Sequence, residues 1–171
     1  LLSSPATARQ ELHSFHGWFS QQLGADVSAG DVNGDGVDDV IIALPGDETF
    51  GPWEGSVQVR SGTDGSIVHY IGPNLNNGYA RSVAGLGDLN GDGHSEFGVG
   101  AWLDDSAGNN AGRVFVYDGD TGNLLQTVDG VHSDGVFGFS LDGVGDANLD
   151  GVPDFVVGAP NASLNSGTIT L

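Results

Sequence analysis

Asp31, Asn33, Asp35 and Asp39 are oxygen-bearing side chains set at alternate positions of one short stretch, Asp31-Val32-Asn33-Gly34-Asp35-Gly36-Val37-Asp38-Asp39. The stretch recurs as Asp88-Leu89-Asn90-Gly91-Asp92-Gly93-His94-Ser95-Glu96 and as Asp146-Ala147-Asn148-Leu149-Asp150-Gly151-Val152-Pro153-Asp154. Each copy reads D-x-N-x-D-G-x-x-[D/E], and the copies start 57 and 58 residues apart. Oxygens at positions 1, 3 and 5 of a tight turn can converge on one point, which suits a hard cation seeking an all-oxygen shell. Gly at position 6 allows the sharp turn. The backbone carbonyl of position 7 (Val37, His94, Val152) adds an oxygen, and the carboxylate of position 9 (Asp39, Glu96, Asp154) closes the shell. An EF-hand opens the same way but needs Glu at position 12 and flanking helices. Position 12 here is Ile42, Val99 or Val157, so that reading fails in all three copies. Asn-Gly and Asp-Gly also make metal-free hairpin turns. Three acidic clusters in one register would repel without a cation among them, which favours about three calcium sites. Magnesium fits less well, because it prefers to keep its waters.

Charge sharpens this reading. The chain has 171 residues, four Arg, no Lys, no Cys and a formal charge of −19. Ten of its 23 acids lie in the three loops, and three dications would bring the charge to −13. That balance argues against nucleic acid and anionic membrane surfaces as partners. Without Cys there is no disulfide and no thiolate site. Calcium sites of modest affinity suit an extracellular or cell-surface module. The longest apolar run, 40–44, is far too short to cross a membrane.

The elements around the loops repeat with them. Short alternating segments over 23–29, 79–85 and 137–143 precede each loop, starting at Leu23-Gly24, Tyr79-Ala80 and Phe137-Gly138. An apolar strand follows, over 40–43, 97–100 and 155–158, so position 9 falls at that strand's first residue. A third strand starts with Gly over 55–59, 112–116 and 167–171, and a fourth follows tight turns over 66–71 and 123–128. No stretch holds a helical period. Four antiparallel strands at about 57 residues read as all-β propeller blades, about three in this chain. Gly and Ala in the first two strands fit a crowded central axis.

Leu23-Gly24, Asp31 to Asp39 and Ala43-Leu44-Pro45 together resemble an FG-GAP repeat. The closest match is Phe137-Gly138-Phe139-Ser140, Gly145-Asp146 to Asp154 and Gly158-Ala159-Pro160. The departures are Leu23 for Phe, Tyr79-Ala80 for Phe-Gly, Trp102 for Pro and Glu96 for Asp, most of them in the second copy. The resemblance implies the calcium-bearing propeller of integrin alpha subunits and of bacterial surface proteins, usually of seven blades. It implies a structural calcium and an adhesion or protein-binding scaffold. Residues 1–15 read as the end strand of a preceding blade, 16–72 and 73–130 as two full blades, and 131–171 as a blade lacking its last strand. Three blades do not close a ring, so the chain is expected to be part of a longer propeller or a head-to-tail homo-oligomer.

No enzymatic site stands out. His132-Ser133-Asp134 has triad letters, but adjacent residues do not face one another, so a polar turn is expected. The ligand is a protein or a glycan. The face opposite the acidic loops, formed by 45–54, 74–78, 102–111 and 129–136, carries Phe50, Trp53 and Trp102. These suit a sugar ring or a protein anchor, or else cap the blades' apolar layers. A lectin-type propeller, or an accessory domain of a polysaccharide-degrading enzyme, is the alternative role.

Overall fold

The structure is a computed structural model that describes residues 13–18, 20–49, 54–72, 78–163 and 166–170, the backbone only for 163 and 166–170. The expected end strand over residues 1–15 lies almost wholly outside the described residues, as do Phe50 and Trp53.

Among the described residues the chain is all β. The first sheet runs β1 (Val27–Gly30), β2 (Asp39–Leu44), β3 (Ser56–Arg60) and β4 (Ile67–Ile71), in that order across the sheet. The second runs β5 (Ser82–Gly87), β6 (Glu96–Ala101), β7 (Arg113–Tyr117) and β8 (Leu124–Asp129). The third holds β9 (Ser140–Gly145), β10 (Asp154–Ser163) and β11 (Ser166–Thr170). Every pairing is antiparallel between consecutive strands, as short apolar segments joined by tight Gly- and Asp-rich turns dictate. These are propeller blades in an open set of three.

The period-2 alternation sorts side chains between two apolar layers. Ile41, Ala43, Val57 and Val59 of the first blade pack with Tyr79, Val83, Phe97, Val99, Phe115 and Tyr117 of the second. The opposite face of the second blade, through Ala84, Leu86, Val114 and Val116, packs with Phe137, Val157 and Ala159. Inside the first layer the Tyr79 hydroxyl donates to that of Tyr117 at 2.8 Å, which satisfies a buried polar group.

The innermost strands meet backbone to backbone. A Cβ on Gly85 would lie 2.1 Å from the Ala29 carbonyl oxygen, and one on Gly143 would lie 2.3 Å from the Gly85 oxygen. Ser28 Oγ accepts from the Gly85 amide at 3.1 Å, and an Asp26 carboxylate oxygen accepts from the Val83 amide at 2.9 Å. The crowded axis expected from the small residues is thus a run of main-chain contacts.

One expectation needs correction. Leu23-Gly24, Tyr79-Ala80 and Phe137-Gly138 do not begin strands. Gly24, Ala80 and Gly138 have φ of 80°, 58° and 81°, a left-handed turn, and the strands start two or three residues later. Ala80 bears a Cβ in that conformation, which costs an L residue about 1–2 kcal/mol.

At the end opposite the acidic loops, Asp47 anchors the β2–β3 connection. It is 1% exposed and accepts from Ser56 Oγ at 2.5 Å, Thr49 Oγ1 at 2.6 Å, the Thr49 amide at 3.0 Å and the Tyr70 hydroxyl. Asp104 takes the equivalent place in the second blade, where Ser106 donates to it at 2.9 Å. Trp102 is half-buried and meets Phe139 edge-on at 5.6 Å, so it seals the seam between blades. That contact is the capping role, one of the two expected of it. His132-Ser133-Asp134 forms a polar turn, with Asp134 accepting from the Asn109 and Asn110 side-chain amides.

Candidate metal centre

All three acidic loops join the first strand of a blade to the second, and Asp39, Glu96 and Asp154 are the first residues of β2, β6 and β10. Each loop closes by the same pattern of bonds. The position-1 carboxylate accepts the amides of positions 5 and 6: Asp31 from Asp35 and Gly36 at 3.0 and 2.9 Å, Asp88 from Asp92 and Gly93 at 3.1 and 2.9 Å, Asp146 from Asp150 and Gly151 at 3.0 and 2.9 Å. The position-3 amide oxygen of Asn33, Asn90 or Asn148 accepts the position-5 amide at 2.8–2.9 Å. The position-5 carboxylate of Asp35, Asp92 or Asp150 accepts the amide of Val37, His94 or Val152 at 2.9 Å. Gly36, Gly93 and Gly151 hold φ of 85° to 93°, where a Cβ would be strained.

The position-9 carboxylate reaches back under its loop. Asp39 accepts the Asn33 amide at 2.9 Å and Asn33 Nδ2 at 3.2 Å. Asp154 accepts the Ala147 and Asn148 amides at 2.9 and 3.1 Å, and Asn148 Nδ2 at 3.3 Å. Glu96, one methylene longer, accepts the Leu89 amide at 2.5 Å and Asn90 Nδ2 at 3.1 Å. The turn before the outer strand joins in: in the β3–β4 turn the Gly62 amide donates to Asp39 at 3.1 Å, and in the β7–β8 turn the Gly119 amide draws the Glu96 carboxyl down.

The second loop differs from the others in a way the motif does not reveal. Asp92, Glu96 and Asp118 bring carboxylate oxygens within 4.8 Å of one another, the one group of three titratable ligands that close among the described residues. Asp118 stands in the β7–β8 turn, where the first blade has Ser61. Asn90 Nδ2 lies among the three, donating at 2.9 Å to Asp92, 3.1 Å to Glu96 and 3.3 Å to Asp118. A primary amide has two hydrogens for these three acceptors. Burial pushes the Glu96 carboxyl up, the Leu89 amide draws it back, and the charge on Asp92 adds to the rise. Burial also pushes Asp88 up, but the amides of Gly93, Gly91, Asp92 and Asn90 outweigh it and hold Asp88 low. Asp118 is lowered by the hydroxyl and then the amide of Thr121. Sequence spacing could not find Asp118, since it lies outside the nine-residue motif. The signal was Asp118-Gly119-Asp120 at the end of the third strand, against Ser61-Gly62-Thr63 in the first repeat.

This donor set fits a hard cation. The amide bonds fix the carboxylates and leave further lone pairs on their oxygens. No Lys exists to neutralise them. Among the described residues, the Arg–carboxylate ion pairs are those of Arg113 with Asp104 and Asp129, at the far end of the blade. The side chains of Asp31, Asn33, Asp35 and Asp39, with the Val37 carbonyl, would hold the first ion. Asp88, Asn90, Asp92, Glu96 and the His94 carbonyl would hold the second, and Asp146, Asn148, Asp150, Asp154 and the Val152 carbonyl the third. The ion would supply charge neutralisation.

Antiparallel four-stranded blades carrying D-x-N-x-D-G loops between first and second strands define an FG-GAP repeat protein, and the FG-GAP repeat family model matches residues 23–59. The chain is an integrin alpha-like FG-GAP domain. It is 33% identical to integrin alpha-PS2 of Drosophila melanogaster over 161 residues, covering 81% of this chain and 11% of that protein. It is 31% identical to integrin alpha-6 of Homo sapiens over 165 residues, covering 89% and 14%. Integrin alpha-IIb of Mus musculus is 31% identical over 176 residues, covering 90% and 16%. The chain thus spans roughly a tenth to a sixth of these curated relatives.

Proposed function

We propose that this chain is a calcium-stabilised β-propeller segment that works outside the cell, or on its surface, as a scaffold for adhesion or protein binding. One observation carries the reading. Three loops repeat one network of amide-to-carboxylate bonds that groups acidic oxygens with no Lys or Arg partner described among them. Calcium's role is structural: it neutralises the loops and fixes the junction between the first two strands of each blade. The similarity to integrin alpha subunits supports the adhesive role and the extracellular setting. No catalytic role is assigned. Among the described residues of the opposite face, Trp102 is packed on Phe139. The open set of three blades is completed by further blades of a longer propeller or by a second copy of the chain.

Thermal unfolding with calcium and with EDTA, alongside light scattering, tests this. Binding to the folded state alone contributes about 2.7 kcal/mol per site when calcium is 100-fold above its dissociation constant. At about 2–4 °C per kcal/mol for a chain of this size, three sites raise Tm by well over 10 °C. An unchanged Tm would reduce the loops to plain turns. A folded monomer in calcium would remove the second copy as the means of completion.

A further inference from the structure

We infer that the first and second cation sites are one coupled unit, joined across the blade boundary by His94 and Ser95, whereas the third site stands apart. This rests on the calcium reading above and concerns how those sites regulate one another.

The backbone of the second loop holds the first. The Ser95 amide donates to the Asp31 carbonyl at 2.8 Å. His94 Nδ1 donates to the Val32 carbonyl at 3.1 Å, since a carbonyl can only accept. The His94 ring lies against Gly34, where a Cβ would come within 2.8 Å of it, and Ser95 Oγ lies as close to a Cβ built on Gly30. Asp31 is therefore gripped at both ends: its carboxylate by Asp35 and Gly36 of its own loop, its carbonyl by the neighbouring loop. Ser95 sits between His94, whose carbonyl would face the second ion, and Glu96, whose carboxylate would. An ion in the second loop fixes residues 94–96 and thereby the main chain of Asp31 and Val32. Asp31, Asp38, Asp88 and His94 also line one polar cleft of about 350 Å3 between the loops.

The chain contains its own control. In the third loop position 8 is Pro153, which has no amide hydrogen, and position 7 is Val152, which has no ring nitrogen. Neither can repeat the Ser95 and His94 bonds toward Asp88 and Leu89. Pro153 packs instead on Gly87, where a Cβ would sit 2.9 Å from its ring, and with Val152 it lines an apolar cleft beside Leu89. The repeat places the same loops side by side twice and bonds them in this way once.

The test is calcium titration of the 15N-labelled chain by NMR. The Gly36, Gly93 and Gly151 amides, each bonded to its loop's position-1 carboxylate, report the three sites separately. Asp92→Ala disables the second site. Coupling free energies between sites commonly correspond to fivefold or more, so the Gly36 midpoint should rise by about that factor while Gly151 stays put. Linkage is reciprocal, so Asp35→Ala should move the Gly93 midpoint by the same factor. In a His94→Val, Ser95→Pro background, which installs the third loop's residues, Asp92→Ala should no longer move Gly36. A Gly36 midpoint indifferent to Asp92→Ala, with Gly93 silenced, overturns the coupling and leaves calcium binding intact. Equal shifts at Gly36 and Gly151 also overturn it. No calcium response at any of the three glycines overturns the cation reading itself.

Discussion

Asp47 shows how much one carboxylate can organise far from the acidic loops. Burial pushes its carboxyl up, but Ser56, Thr49 and Tyr70 pull harder in the other direction and hold it well below the usual carboxylate range. A depressed folded pKa contributes stability above the unfolded value of about 3.9, and that contribution drains away as pH falls through the folded value. Asp47→Asn should therefore cost about 1–3 kcal/mol at pH 7, read by chemical denaturation. It should also flatten the loss of stability below about pH 4. An acid limb as steep as that of the parent would show that Asp47 does not set it. Asp118 makes the second prediction at this scale. Asp118→Ser, which copies the first blade's Ser61, removes from beside the second loop one of the three clustered carboxylates of Asp92, Glu96 and Asp118. Calcium affinity there should fall about tenfold with the third loop unaffected, as calorimetry with site-resolved NMR would read. Equal affinities would leave Asp118 as a cap on its own turn, where Thr121 already donates to it at 2.6 Å.

Elements obey a stricter rule, because the inner strands touch through their main chains. Gly85→Ala would push a methyl into the Ala29 carbonyl, and a rigid backbone neighbour cannot step aside. Overpacking of this kind costs about 1–3 kcal/mol or more, and a drop in Tm of at least a few degrees should follow. The strands themselves were largely legible in the sequence, since alternation of apolar residues and the Thr63-Asp64-Gly65 and Asp120-Thr121-Gly122 turns locate them, although the first strand of each blade begins three or four residues later than expected. The acidic loops were legible too, because the hydrogen bonds that shape each turn run between residues of its own nine-residue stretch. What was not legible depended on neighbours. Ala80 and Gly138 were read as strand starts, although their left-handed φ places them in a turn before the strand. Asp118 reaches the second loop from 22 residues beyond Glu96, and His94 spends its ring on the first loop. A motif records local geometry and says nothing of a contact made across a blade boundary.

For the whole molecule, four arginines stand against a formal charge of −19, and the three that the structure describes do little to relieve the acidic loops. Arg60 lies over Phe15, Arg81 over Phe139 and Arg113 over Phe115, with Arg113 also paired to Asp129 at 2.5 Å. These cations are committed to blade edges and seams. On the calcium reading proposed above, self-repulsion in the acidic loops would be relieved by ions from solution. In EDTA, raising NaCl from about 0.05 to 0.5 M should raise Tm by several degrees as the screening length shortens, and saturating calcium should shrink that increment. A melting temperature flat in salt without calcium would mean that the loop amides already neutralise the charge.

The bond from the Gly62 amide to Asp39 at 3.1 Å, and the matching pull of the Gly119 amide on Glu96, carry a consequence in time. Each ties the turn leading to a blade's outermost strand to the carboxylate at the root of its inner loop. An outer strand, exposed along one edge, ordinarily frays first. Here β4 and β8 cannot peel from the turn end until that carboxylate lets go, so their amides should exchange with solvent at the pace of the acidic loop. The edge of each complete blade is clocked from its centre.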